Sequence, residues 1–246
     1  MNSRSLFALV LGAFVLPAAN AQDYMGMFNA SNTAGINIAG TIAVNSAMGK
    51  GSGKPSRKTQ RERADALSDA QLDALTFKPD PGVSRRVKEE FKRAVQQADP
   101  GRSAHIASVL DRQDVLADFD RDMQPYGLRS NNIADAMSAY WLTMWIVANN
   151  RAVPSAARVA AARRQVTHNM LSNSMVAKAS LTERQEITEA LVYETMFALG
   201  QRATAERNKD RARERELAAT TQRNLLKSGV DLQRLRLTTK DGFISY

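Results

Sequence analysis

The chain of 246 residues contains no cysteine and only two histidines. The first absence removes thiol catalysis, disulfide bridges, thiolate zinc sites and iron–sulfur clusters. The second leaves little for a histidine metal site. His105 and His168 fall on different expected helices, and neither belongs to a His-Glu-x-x-His pattern. No metal site and no cofactor is expected. Aromatics make up 6% of the chain. The most basic stretch, Lys50–Arg63, has none, whereas single-stranded nucleic acids are held by aromatics among cations. No nucleic-acid partner is expected. Long apolar runs are missing from the interior. The most apolar internal segment, Ala136–Ala148, is 13 residues, which suits a core helix and falls short of a span. The Walker loop, the Gly-x-Ser-x-Gly elbow, the Ser-x-x-Lys pairing, the Rossmann fingerprint and the EF-hand are all missing. Gly49–Lys54 (GKGSGK) lacks the spacing of a phosphate loop. No repeat of solenoid length occurs.

Residues 1–21 read as a secretory signal peptide. Arg4 gives a positive start, Leu6–Leu16 is an apolar run of 11 residues, Pro17 breaks it, and Ala19-Asn20-Ala21 supplies the small residues of a cleavage site. Cleavage after Ala21 leaves an exported chain, periplasmic or secreted, with no transmembrane span in its mature form. The formal charge of +9 then falls by Arg4 to +8. Half of that sits in residues 22–63, a Gly/Asn-rich arm followed by the basic linker Lys50–Arg63, with six basic and two acidic residues. Tyr24–Gly49 carries no charge at all. Ile36, Ile38, Ile42 and Val44 alternate there with polar or small residues, the period of a one-faced strand. The arm is either disordered or strand-like, and as a strand it would pair with a partner or with the C-terminal tail.

From residue 64 the pattern is helical, and a single helical domain with a C-terminal tail is expected over 64–246. Ser68 and Gln71 form a capping box for a short helix towards Thr76. Val83–Ala98 is a helix stopped by Asp99-Pro100-Gly101. Ser103–Leu110 and Asp114–Met123 follow as a pair or one bent helix. Ile133–Ala148 is apolar all round, holds both tryptophans, and therefore marks a central helix capped by Asn131 or Ser130. Ser155–Ser174 is another. The last starts at Ser180 or Thr182 and runs through to Lys227, with Gly229 as its stop. A short strand at Leu235–Leu237 and a turn at Asp241-Gly242 end the chain. The fold class is all-α, a compact multi-helix bundle around 133–148.

Candidate sites come from charges in unusual settings. Glu194 lies on an apolar stripe with Ile187, Ala190 and Phe197. A carboxylate so placed has a raised pKa and the makings of a general acid, with Asp135 or Glu186 as second carboxylate. Alternatively, Glu194 is a boundary residue that reaches water or an arginine. Arg158, Arg163, Arg164 and His168 share one helix, either as an anion-binding cluster or as a solvated face. Glu206–Glu216 has nine charged residues in eleven, with pairs at three-residue steps such as Glu206–Lys209, Arg207–Asp210, Asp210–Arg213 and Arg211–Glu214. It is an exposed face or an electrostatic docking rib for a protein partner.

Leu75–Pro81 (LTFKPDP), Tyr126–Asn150 (YGLRSNNIADAMSAYWLTMWIVANN) and Leu225–Phe243 (LLKSGVDLQRLRLTTKDGF) together resemble a family of secreted proteobacterial proteins known as a domain of unknown function. The likeness runs from about Leu67 to the C-terminus. It implies export and one compact domain, and carries no activity, ligand or catalytic residue. The function is thus unknown. The leading expectation is a non-enzymatic envelope protein acting by binding or assembly. The alternatives are an envelope-polymer hydrolase or lyase using Glu194, and a protein that binds an anionic envelope polymer through Arg158, Arg163 and Arg164.

Overall fold

Apolar residues at steps of three and four dictate the architecture. In the computed structural model, residues 71–245 are described except 72, 99 and 173–177. The signal peptide, the 36–44 pattern, the basic linker and the Ser68 cap lie outside the described residues. Helix α1 (Pro81–Ala98) buries Val83, Val87, Phe91 and Val95 along one stripe. Asp80 accepts from the amides of Gly82 and Val83, satisfying the first turn. Helix α2 (Pro100–Arg112) and α3 (Val115–Met123) are separate helices, and Asp114 caps the second. A 3-10 turn at Gln124–Tyr126 ends in Gly127, whose φ of 69° suits glycine.

Helix α4 (Ile133–Ala148) is the centre, buried on nearly every side. Its cap is Asn132, whose side chain accepts from the amides of Ala134 and Asp135. Ser130 and Asn131, the expected caps, are committed elsewhere. The Ser130 amide and hydroxyl both donate to Asp120, and the Asn131 carbonyl accepts from Phe77. Thr76 and Asn132 form an antiparallel bridge, which ties the start of the described body to the start of α4.

Helix α5 (Ala156–Leu171) and the long α6 (Leu181–Arg207) pack on α4. Of the two expected starts, Ser180 is the one used: it forms a capping box with Glu183 at the head of α6. The expected single helix to Lys227 is corrected here. Asn208 closes α6, Lys209 takes a left-handed φ of 54°, and Asp210 caps a new helix, α7 (Arg211–Lys227). The reason is length. One rod from 181 to 227 would run about 70 Å beside a central helix of about 24 Å. The break lets α7 pack on α4 as well. Gly229, at φ 82°, then forms the expected stop, with the Val230 amide donating to the Leu225 carbonyl.

The tail is a hairpin. Strand β1 (Leu235–Thr238) pairs antiparallel with β2 (Gly242–Ser245), Leu237 facing Phe243. The Gln165 side chain on α5 pairs with Phe243 as a neighbouring strand would. It donates to the Phe243 carbonyl and accepts from its amide, both at 2.8 Å. On the other strand, Trp145 Nε1 donates to the Leu235 carbonyl. These bonds occupy backbone groups that an added strand needs, so arm-to-tail pairing is disfavoured at Phe243 and Leu235. A Cβ on Gly242 would sit 2.6 Å from Gln165 Oε1, so the clasp also fixes that glycine. Gln165→Ala is expected to destabilise the protein by about 1–3 kcal/mol through the two stranded backbone groups. Thermal melting and faster amide exchange at Phe243 check it.

Candidate functional site

Among the described residues, three groups of polar side chains hold the candidate residues or their neighbours between helices. The first is a clamp on Asp135, fully buried in the first turn of α4. Arg163 from α5 reaches both of its carboxylate oxygens, and Arg129 from the preceding connector donates to Oδ2 at 3.2 Å. Arg129 also approaches Asp73 at 3.8 Å. This buried carboxylate between two guanidiniums joins four segments of chain.

The second group joins α1 to α6. Gln185 accepts from the Asp80 amide and donates to the Asp80 carbonyl, each at 2.9 Å. Its amide also donates to Glu189, which in turn accepts from the Ser84 hydroxyl at 2.7 Å. Both bonds fall on one Glu189 oxygen, and the other is buried without a partner. Burial raises the Glu189 pKa, against the two hydrogen bonds, which lower it.

The third is Glu194 on α6 with Tyr140 on α4. The two side chains hydrogen bond, and each keeps only limited exposure. Burial pushes the Glu194 carboxyl up to about 8, with the Tyr140 hydroxyl as the opposing influence. Burial, and then the nearby Glu194, push the Tyr140 hydroxyl well above its ordinary value. Glu194 is therefore mostly protonated at neutral pH. That is the state of a general acid, held between two helices.

The three candidate carboxylates do not converge. Asp135 and Tyr140 are five residues apart on α4, which turns them about 140° from each other. Asp135 thus faces Arg163 while Tyr140 faces Glu194. Glu186, two turns before Glu194, lies at the surface and accepts from Arg86 of α1. Of the α5 cluster, Arg163 is committed to Asp135, Arg158 is exposed, and Arg164 and His168 are half-buried. The charged rib is two helix ends around a turn. Only its Arg211–Glu214 pair forms as expected, at 2.7 Å. Arg202–Glu206 and Arg213–Glu216 replace the others, and Glu214 is buried.

A family model matches residues 1–243. The chain belongs to DUF6683, a family of unknown function. No curated protein and no solved structure matches it. Membership in DUF6683 therefore assigns no residue a role, and the geometry alone decides among them. Among the described residues, no group of three metal-ligating side chains could hold an ion, and no helix is long and apolar enough to cross a membrane.

Gln185, Glu189 and Arg129 escaped the sequence reading. For the first two a signal existed. Gln185, Glu189, Tyr193 and Phe197 recur every four residues, a polar-to-apolar stripe along one face of α6. Arg129 had none, because a connector residue shows no periodicity.

Proposed function

We propose that the mature chain is an exported, non-enzymatic protein that acts by binding or assembly in the cell envelope. The observation that carries this reading is the commitment of the candidate acids and of Arg163 to the framework. Asp135 is clamped by two arginines, Glu186 pairs with Arg86, and Glu194 is enclosed with Tyr140. A glycoside hydrolase of the two-carboxylate kind needs a second carboxylate free to act beside the acid. An anion site on α5 needs Arg163 free. The sequence supplies the other half of the argument: a leader that reads as a route of export and, after it, an uncharged run with the alternation of a pairing strand.

Two measurements test the reading. The N-terminal residue of the protein recovered from cell envelopes is expected to be Gln22. Native complex size in envelope extracts is expected to fall when Gln22–Arg63 is deleted. An unchanged, monomeric size with and without the arm contradicts the assembly role.

A further inference from the structure

A narrow slot opens on the bundle between α4, the Gln124–Tyr126 turn and the start of α5, lined by Met123, Leu128, Leu142, Ile146, Val153 and Leu199 among others. None of its lining residues is charged. We infer that this slot is the resting seat of the chain's own arm, and that one aliphatic side chain of the segment Ile36–Val44 fills it. The inference rests on the reading of the arm as the interacting element, and it adds where that element is held before a partner takes it.

Three observations carry it. The first is chemical. A lining without charge takes an occupant without charge, because an unpaired ion would lose its hydration there. Tyr24–Gly49 is an uncharged run, and it offers Ile36, Ile38, Ile42 and Val44 on one face. The second is size. The free space in the slot is about 30 Å³, roughly twice what one water needs, which suits the end of a branched aliphatic chain and excludes a fused ring. Val153 on the rim is 43% exposed, so an occupant would remove it from water.

The third is position. Leu128 lines the slot, and its neighbour Arg129 reaches Asp73 at 3.8 Å. Leu75 accepts from the Ile133 amide and Thr76 bridges to Asn132. The chain therefore enters the described body beside one end of the slot. Residues 45–72 would link the segment to that point. A chain of 28 residues spans at most about 100 Å, so the slot is within its reach. Attachment to the same chain favours this segment over the same segment of a second copy at micromolar concentration.

The absence of cysteine makes the test clean. The full mature chain carrying Val153→Cys and Ile42→Cys is treated with a short thiol crosslinker and resolved on a denaturing gel. The control pair is Leu226→Cys with Ile42→Cys; Leu226 is 53% exposed on α7 and lines no part of the slot. The expected result is an intrachain product with Val153→Cys, in yield about fivefold above the control. Equal yields overturn the inference. An interchain product in its place also overturns it, while agreeing with the assembly role. A complex size that does not change when the arm is deleted contradicts the assembly role separately.

Discussion

Asp135→Ala is expected to destabilise the protein by about 3–5 kcal/mol, the usual effect of removing one partner from a buried ion pair. Whole domains are stable by only about 5–15 kcal/mol, so the loss should be plain in a urea titration. The cause is the charge left behind. Arg163 is only 20% exposed at its side chain and loses both oxygens of a bidentate partner. Arg129 loses its nearest carboxylate and keeps Asp73 at 3.8 Å. The two guanidiniums then face each other across an emptied site. Asp135→Asn keeps the shape and removes the charge, so it should recover only part of the loss. Arg129→Ala should matter less than either, because Arg129 is 42% exposed and Arg163 remains on the carboxylate. A change below about 1 kcal/mol for Asp135→Ala would show that the clamp is not structural, and would return Asp135 to the list of residues available for chemistry.

The same residue shows what a sequence makes legible. Asp135 was readable as an acid near the positive end of a helix, because that is a matter of neighbouring residues. Its true partners were not readable. Arg163 is 28 residues away on another helix, and Arg129 sits in a connector with no pattern of its own. Helix α4 was legible since an apolar surround over sixteen residues has one simple reading, burial at the centre. The α6–α7 break was not, because Glu206–Glu216 offers charge pairs at helical steps throughout and has no proline or glycine to mark a turn. There the finite length of α4 decided against the local preference, and a lysine at φ 54° accommodates the turn. Glu194 on its apolar stripe was legible, whereas Tyr140 opposite it was not, since the contact exists only when α4 and α6 are packed.

That contact makes the second large prediction, one of pH dependence. In the unfolded chain Glu194 ionises near its ordinary value of 4.5, and in the folded protein it keeps its proton up to about 8. Between those limits the folded state binds more protons than the unfolded one. Stability must then fall as pH rises, by at most about 1.4 kcal/mol per pH unit from this group, and level off above about 8. Below about pH 4.5 the group contributes no slope. Glu194→Gln has nearly the same shape, stays neutral, and can still hydrogen bond to Tyr140. The variant should match the wild type near pH 4 and exceed it by a few kcal/mol at pH 8, with a flatter profile between. Tyr140→Phe should carry the fall to higher pH, because it removes the hydrogen bond that opposes burial. Urea midpoints from pH 4 to 9 measure all three. Parallel profiles for wild type and Glu194→Gln would mean that the carboxyl reaches water and ionises normally. A flattened profile would instead explain the placement. A protonated carboxyl with one tyrosine partner can lie between α4 and α6 where a charged one could not, and its retention there then becomes a question of what ionises it.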